Sequence, residues 1–289
     1  MKVCLACEAR FGGPGWTCPE CGFAPPGDGF LDFTAHLGAT NFPEESFELL
    51  ARLEPGNFWF EARNDLVAWA LETYLPAARS LFEIGCGTGF VLAGLHACFP
   101  ELELAAGELS FAGLAVARSR LPDAALYRVD ACRIPFEAEF DVVAVFDVLE
   151  HLDDDERALA EMVRAAKPGG GVLVSVPQHP RLWSAVDDFG GHRRRYTRAG
   201  LVRTLEAAGL EVLRTTSFVS LLLPAVALSR LRDRRKEAAA YDPETEFRIP
   251  GAVNRAFLAT MRLERALIGR GVSFPAGSSL LAVARRRAD

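Results

Sequence analysis

Four cysteines crowd the first two dozen residues, where Cys4, Cys7, Cys18 and Cys21 form a C-x2-C-x10-C-x2-C pattern. Cysteines spaced this way form two tight knuckle turns, and two knuckles can close one tetrahedral zinc site through four thiolates. Cys86, Cys98 and Cys132 stand singly further on. Paired C-x-x-C motifs in a reducing compartment point to metal more than to disulfides. The plainer alternative is four free thiols in a flexible leader. A module this short has no apolar core, so a bound metal would supply most of its folding free energy. Its only basic residues are Lys2 and Arg10, and it shows no basic and aromatic surface for a nucleic acid.

A second group of residues sits in LFEIGCGTGF, residues 81–90. Gly85, Gly87 and Gly89 follow a short apolar run and precede a helical pattern. Glycines here allow a tight turn and close backbone approach to a ligand, and the following helix N-terminus adds donors and positive potential. Such turns also join strands to helices with no ligand bound. Here, however, Glu108 ends the next apolar run, about 20 residues beyond Gly89, a separation at which a carboxylate can hydrogen-bond ribose hydroxyls. Asp130 closes a third run and Asp147 a fourth. The spacing G-x-G-x-G departs from the dinucleotide fingerprint G-x-G-x-x-G, because position 90 is Phe.

The elements that must hold these residues alternate. SLFEIG, LELAAGE, ALYRVD, FDVVAVFDV and GVLVSVP read as strands. FVLAGLHACF, SFAGLAVARSRL and DDDERALAEMVRAAKPGG read as the helices between them, the last stopping at Lys167, Pro168 and Gly169. TRAGLVRTLEAAGLEVLRTTSF adds a helix and a sixth strand, and SSLLAVARR is a last strand. Alternation of this kind implies an α/β fold with a parallel sheet and helices on both faces. Its ligands bind beyond the carboxyl ends of the strands, where Glu108, Asp130 and Asp147 fall. Three segments follow: a zinc-ribbon-like module at 1–30, an N-terminal helical segment at 31–78, and the α/β domain at 79–289 with a helical insertion at about 219–271. Within the second segment, Phe42 to Leu75 is expected to be helical.

EIGCGTG, GELS, VDA, FDVVAVFDVLEHLDD and KPGGGVLVSVP together resemble the successive motifs of class I S-adenosylmethionine (SAM)-dependent methyltransferases. The resemblance runs from about Trp59 to Val212 and includes the last strand. It is strongest toward small-molecule members such as the ubiquinone-biosynthesis O-methyltransferases. It implies a doubly wound, seven-stranded, mostly parallel Rossmann-like sheet. Counted from Ser80, the strand order would be 3-2-1-4-5-7-6, with the seventh strand antiparallel. Site roles follow by the same resemblance. Glu83 and the loop Gly85, Cys86, Gly87 and Gly89 would hold the methionine end of SAM. Glu108, with Leu109, would bind the ribose, and Asp130 and Ala131 would contact adenine. Asp147 and Val148 would lie beside the transferred methyl, with Asp147 among the catalytic candidates.

A sulfonium is a reactive methyl donor, so the protein must chiefly align and desolvate a nucleophile. A base is needed only for a weakly acidic hydroxyl or a protonated amine. His179, after the fifth strand, and His192, in DDFGGHRRRYT beside Arg193, Arg194, Arg195 and Tyr196, are the candidates facing the acceptor. By resemblance, His151 is a loop organiser near SAM. The arginine run could bind a carboxylate or phosphate, or form surface ion pairs. DVLE after the fourth strand replaces the Asn/Asp-Pro-Pro-Tyr pattern, which argues against methylation of adenine or glutamine.

FVSLLLPAVAL is uncharged and is followed by Arg230, Arg232, Arg234, Arg235 and Lys236. This is either a helix packed on the core or an interfacial element on anionic lipid, which would suit a lipid-linked acceptor. The chain has 289 residues, 50% hydrophobic, and a net charge of −6. That balance weighs against general nucleic-acid binding. With no long apolar start and no run of about 20 apolar residues, the expected place is the cytoplasm, with peripheral membrane contact allowed. The leading expectation is a SAM-dependent methyltransferase with zinc, acting on a small-molecule or lipid-linked acceptor at O or N. The alternatives are an RNA methyltransferase docking through the zinc module and a non-catalytic SAM-binding protein.

Overall fold

The computed structural model describes residues 1–27, 29–34, 44–233, 244 and 248–288. Two short strands, β1 (Lys2–Val3) and β2 (Arg10–Phe11), pair antiparallel and carry the cysteine module. The main sheet has eight strands. They are β3 (Leu31–Asp32), β4 (Ser80–Ile84), β5 (Glu103–Glu108), β6 (Ala125–Arg128), β7 (Phe140–Phe146), β8 (Ala166–Pro177), β9 (Leu210–Phe218) and β10 (Ser279–Arg286). Their spatial order is β3-β6-β5-β4-β7-β8-β10-β9. Only β10 runs antiparallel to its neighbours β8 and β9. This is the expected order with one strand added at the edge, where β3 pairs parallel with β6. Leu31 and Asp32 therefore belong to the sheet rather than to a helical segment.

The helices follow the apolar pattern. α1 (Glu45–Leu53) and α2 (Phe58–Tyr74) are separate, broken at Asn57, whose side chain accepts from the Trp59 amide and caps α2. α3 (Phe90–Cys98), α4 (Phe111–Arg120) and α5 (Asp155–Ala165) join the strands. Ser110 caps α4 and Asp154 caps α5. α5 stops at Ala165, earlier than the Lys-Pro-Gly signal suggests, because β8 begins at Ala166 and pairs with Phe140 across an irregularity in register. α6 (Ala185–Phe189) and α7 (Arg198–Ala207) precede β9, and α8 (Leu223–Asp233) and α9 (Gly251–Gly269) form the insertion before β10.

Alternation along the strands splits the core in two. Leu81, Val142, Ala144, Leu173, Leu281 and Val283 face α2, α3, α4 and α9. Phe82, Val143, Val145, Val172, Val174 and Leu280 face α5 and α7. Strands apolar on both faces are what a sheet covered on both sides requires.

The insertion is fastened to α2 by named contacts. Asn254 accepts from the Phe58 amide and donates to the Gly56 carbonyl, and Phe257 meets Phe58 edge-on. The buried Glu264 carboxylate accepts the amides of Ser220 and Leu221, holding the turn that starts α8. Among the described residues, no helix is long and apolar enough to cross a membrane. Arg234, Arg235 and Lys236 lie outside the described residues.

The cysteine module is docked rather than tethered. Trp16 sits edge-on against Phe33, Tyr127 and Phe136, and Arg10 pairs with Glu137. Arg133 donates to the Leu5 carbonyl. Buried aromatic contacts of this kind hold more firmly than an exposed ion pair.

Candidate functional site

The glycine loop turns from β4 into α3 at the carboxyl edge of the sheet. Gly85 and Cys86 both donate to the Gly107 carbonyl, which ties the loop to β5. Gly85 has φ +70°, and a Cβ there would stand 2.4 Å from Val148 Cγ2. Gly89, at φ +71°, caps α3, and a Cβ would press on Ala117 of α4. Its glycine thus serves helix packing, and it does not line the cavity beneath the loop.

That cavity has a volume of about 340 Å³, and Glu83, Gly85, Cys86, Gly87, Glu108, Leu109, Ala131, Asp147 and Val148 all line it. Nine of the ten residues expected to contact the cofactor besides Gly89 therefore share one space. The tenth, Asp130, does not line it; its carboxylate accepts the Cys132 amide while Val129 and Ala131 face the cavity. Glu108 accepts the amides of Gly87, Leu109 and Ser110, so it braces the loop from the β5 end. Burial raises its carboxyl, and the three amides pull it back. Glu83 is buried with Oε2 lacking a hydrogen-bond partner. Burial pushes its carboxyl up to about 8, against the Arg63 charge and with help from Glu108 and Asp147. An orphaned buried carboxylate oxygen in a ligand-sized cavity suits a cationic group such as the methionine ammonium of SAM.

Sequence reasoning missed two groups at this site, Arg63 and the α1 region that closes the cavity. Arg63, on α2, pairs with Asp147 at 2.8 Å and lies over the Trp59 ring. Asp147 itself is held at φ +55°, an unusual conformation for a non-glycine residue. Phe47, Leu50 and Glu54 of the α1 region close the cavity from above. Glu54 accepts from Thr88 Oγ1 at 2.7 Å and from Arg120 at 2.6 Å, while Arg120 also reaches the Ala51 carbonyl.

A second cavity of about 520 Å³ opens beside the first. Its walls are largely apolar, from Phe58, Trp59, Leu222, Val226 and Phe257 among others. Leu50, Phe60, Arg63, Asp147, His151 and Gly190 line both cavities and mark where they meet. His192 lines the second cavity, with Nδ1 2.8 Å from Asp187 Oδ1. Asp187 also accepts Arg195 Nε at 2.6 Å and the Ser184 amide. Burial would raise the Asp187 carboxyl, but the His192 and Arg195 hydrogen bonds outweigh it and hold it at about 2. The His151 and His192 rings meet edge-on at 4.7 Å. Burial and the neighbouring His192 lower the His151 imidazole to about 4. Glu150, also on the second cavity, is 1% exposed, and burial beside Asp147 raises its carboxyl well above the usual range.

His179 lines neither cavity. It sits at φ +63° with its amide on the Tyr196 carbonyl and its Nε2 buried without a partner. Of the arginine run, Arg194 binds Asp155 and the Leu152 and Asp153 carbonyls, and Arg193 pairs with Asp153. Only Arg195 of the three reaches the second cavity.

At the amino terminus, the four cysteine sulfurs lie within 4.8 Å of one another. Cys4 and Cys21 are 3.6 Å apart, and Cys7 and Cys18 3.7 Å. The edge of a tetrahedron with Zn–S of about 2.3 Å is about 3.8 Å. Both knuckles carry the same two hydrogen bonds: Glu8 N to Cys4 O and Cys4 N to Ala9 O, then Gly22 N to Cys18 O and Cys18 N to Phe23 O. Glu8 and Gly22, at matching positions, both have positive φ. These four residues fit one tetrahedral metal ion.

The family described as a methyltransferase domain matches residues 82–174. A protein of Mycolicibacterium smegmatis named as a probable S-adenosylmethionine-dependent methyltransferase is 33% identical over 161 residues, 54% of this chain and 60% of that one. The demethylmenaquinone methyltransferase of Renibacterium salmoninarum is 36% identical over 139 residues, 46% of this chain and 52% of that one. The chain spans about half the length of the curated relatives it matches. Among solved structures, phosphoethanolamine N-methyltransferase 2 of Haemonchus contortus, in complex with SAM, aligns with a TM-score of 0.56. It is 17% identical and covers 86% of this chain and 58% of that one, a likeness of fold.

Proposed function

We propose that the class I SAM-dependent methyltransferase domain carried by this chain transfers the methyl of SAM to an oxygen or nitrogen of an apolar small-molecule or lipid-linked acceptor. One observation carries this reading: the cavity of the glycine loop and the larger apolar cavity meet at Arg63, Asp147, His151 and Gly190. A donor in the first and an acceptor in the second would face each other across that junction. The name of the Renibacterium relative, a demethylmenaquinone methyltransferase, supports an apolar acceptor.

In this reading Glu83 takes the methionine ammonium, Glu108 the ribose hydroxyls, and Val129 and Ala131 flank the adenine. Asp147, held by Arg63, and Val148 border the methyl. The acceptor lone pair attacks the methyl carbon, the C–S electrons return to sulfur, and S-adenosylhomocysteine leaves. For a hydroxyl acceptor the displaced proton goes to the polar group around His192, whose Nδ1 is fixed by Asp187. His179 has no part in it. Zinc would be held by Cys4, Cys7, Cys18 and Cys21, and would keep the amino-terminal module folded with its Trp16 against Phe33 and Phe136. Peripheral membrane contact would fall on Leu228 and Leu231, exposed on α8 beside Arg230.

Calorimetry with SAM and S-adenosylhomocysteine tests the donor site, and failure to bind either removes the methyltransferase reading. Labelled SAM incubated with demethylated quinones and a lipid extract, followed by mass spectrometry, tests the acceptor. Label in a water-soluble product alone would contradict the apolar acceptor.

A further inference from the structure

One polar cluster in the wall of the acceptor cavity is left unexplained by methyl-donor binding. Glu150, His151 and His192 bring one ligand atom each to within 4.8 Å of one another. Ligands on one ion at about 2.1 Å stand about 3.0–4.2 Å apart, a spacing close to that of this cluster. Glu150 is fully buried, and its Oε2 has no hydrogen-bond partner. A buried carboxylate oxygen left in this state is costly unless something fills its coordination. The third member is prepared in the way ligating histidines are. Asp187 Oδ1 holds His192 Nδ1, leaving Nε2 as the free ligand atom, and Arg195 in turn fixes Asp187. A carboxylate behind the distal nitrogen of a histidine is the usual outer support of a metal ligand. The neighbouring charges favour a cation as well. Asp147 is matched by Arg63 and Asp187 by Arg195, so the Glu150 carboxylate is left to balance an ion.

We propose that Glu150, His151 and His192 bind one divalent transition-metal ion in the wall of the acceptor cavity. Two imidazoles and one carboxylate suit a borderline first-row ion rather than magnesium or calcium. Three protein ligands leave coordination positions open, and the cavity beside His192 supplies room for an acceptor hydroxyl to take one. The ion would lower the pKa of that hydroxyl, whose proton passes to solvent or to a bound water as the oxygen attacks the methyl carbon. His192 then acts as a ligand rather than as the proton acceptor, and Asp187 is a positioning residue. The acceptor class narrows to hydroxyl-bearing molecules with an apolar body. A role for the ion in methyl transfer rests on the second cavity being the acceptor site, whereas the binding of the ion does not.

The test uses the full chain, with its cysteine module first loaded with one equivalent of zinc so that thiolates do not compete. Mn(II) is then titrated and followed by electron paramagnetic resonance, with S-adenosylhomocysteine binding measured in parallel. About one Mn(II) should bind per chain. Glu150→Gln and His192→Ala should each weaken it by at least about tenfold, and Asp187→Asn by about 10–100-fold, through loss of the outer support. All three should keep their affinity for S-adenosylhomocysteine. Should one variant fold poorly, the other two read the same site. The proposal is overturned if wild type binds neither Mn(II) nor a second equivalent of Zn(II), or if the variants bind Mn(II) as well as wild type does. S-adenosylhomocysteine binding that persists in that case leaves the donor site standing, while its loss in wild type would remove the methyltransferase reading and leave the ion untouched.

Discussion

The two cavities are neighbours built by different rules. The glycine-loop cavity is made mostly of strand ends and the turns that leave them: Glu83 and the glycine loop after β4, Glu108 after β5, Ala131 after β6, Asp147 and Val148 after β7. Each contributor is short, local and placed by the sheet. The larger apolar cavity is drawn from α2, the Gly190–Arg195 loop, α8 and α9, segments separated by up to about 200 residues of chain. Parallel strands in register carry their carboxyl ends to one edge whatever the side chains are, so a donor site can be repeated with little sequence. Helix packing has no such register, so the shape of the acceptor space depends on many individual contacts.

The sharpest test of that contrast is Gly85→Ala. The new Cβ would meet Val148 Cγ2 at 2.4 Å, with the backbone in a region that suits glycine. SAM affinity should fall on the order of 100-fold or more, because the loop must move away from its ligand. Calorimetry checks this, and near-normal affinity would mean that the loop is not the donor cradle.

Arg120→Ala tests the exception to locality. The roof over the glycine-loop cavity is fastened by Arg120 to Glu54 and Thr88, three residues far apart in sequence. Removing the guanidinium strands a buried carboxylate, a loss of about 3–5 kcal/mol. Chemical denaturation should show it, and Glu54→Gln in the same background should recover part of it. A loss under about 1 kcal/mol would show that α1 is only loosely tied down.

The same contrast explains what the sequence disclosed. The strand order, the antiparallel last strand and most residues of the glycine-loop cavity were legible, because apolar runs ending in Gly, Glu or Asp mark strand ends directly. Asp130 was placed one residue too literally: the motif is there, but its side chain turns to the Cys132 amide while its neighbours face the cavity. Gly89 reads as a ligand residue; it caps α3, packs against α4 and does not line the cavity. β3 was illegible because two residues carry no period, and its pairing depends on Trp16 and Phe33 docking the module on β6. Arg63, Glu54 and Asp187 were illegible for a stronger reason. Each is defined by a partner distant in sequence or in a loop with no period, and nothing in its own surroundings distinguishes it from a surface charge.

Ala225→Trp separates the two cavities. Ala225 lines only the larger apolar cavity and lies at its exposed rim on α8. An indole there should plug the cavity without touching the glycine loop. Turnover should drop by on the order of tenfold while SAM affinity stays within about twofold, since the sites share no contact at this position. Equal losses in both would mean that the cavities are not separable in function.

The smallest effect is a proton. Burial holds the empty-site Glu83 carboxyl at about 8, so near neutral pH it is largely protonated. A methionine ammonium placed against it favours the carboxylate and lowers that value in the complex. The sign follows: the complex binds fewer protons than the free protein, so SAM affinity rises with pH up to about 8 and levels off above it. The slope is at most about tenfold per pH unit, and proton release makes the calorimetric heat depend on the buffer. Glu83→Gln has nothing to release, so its affinity should be lower and flat across the same range. A wild-type affinity flat between pH 6 and 8 would place the ammonium elsewhere, and the unpartnered Oε2 would then mark strain in the donor cavity rather than a seat for the ligand.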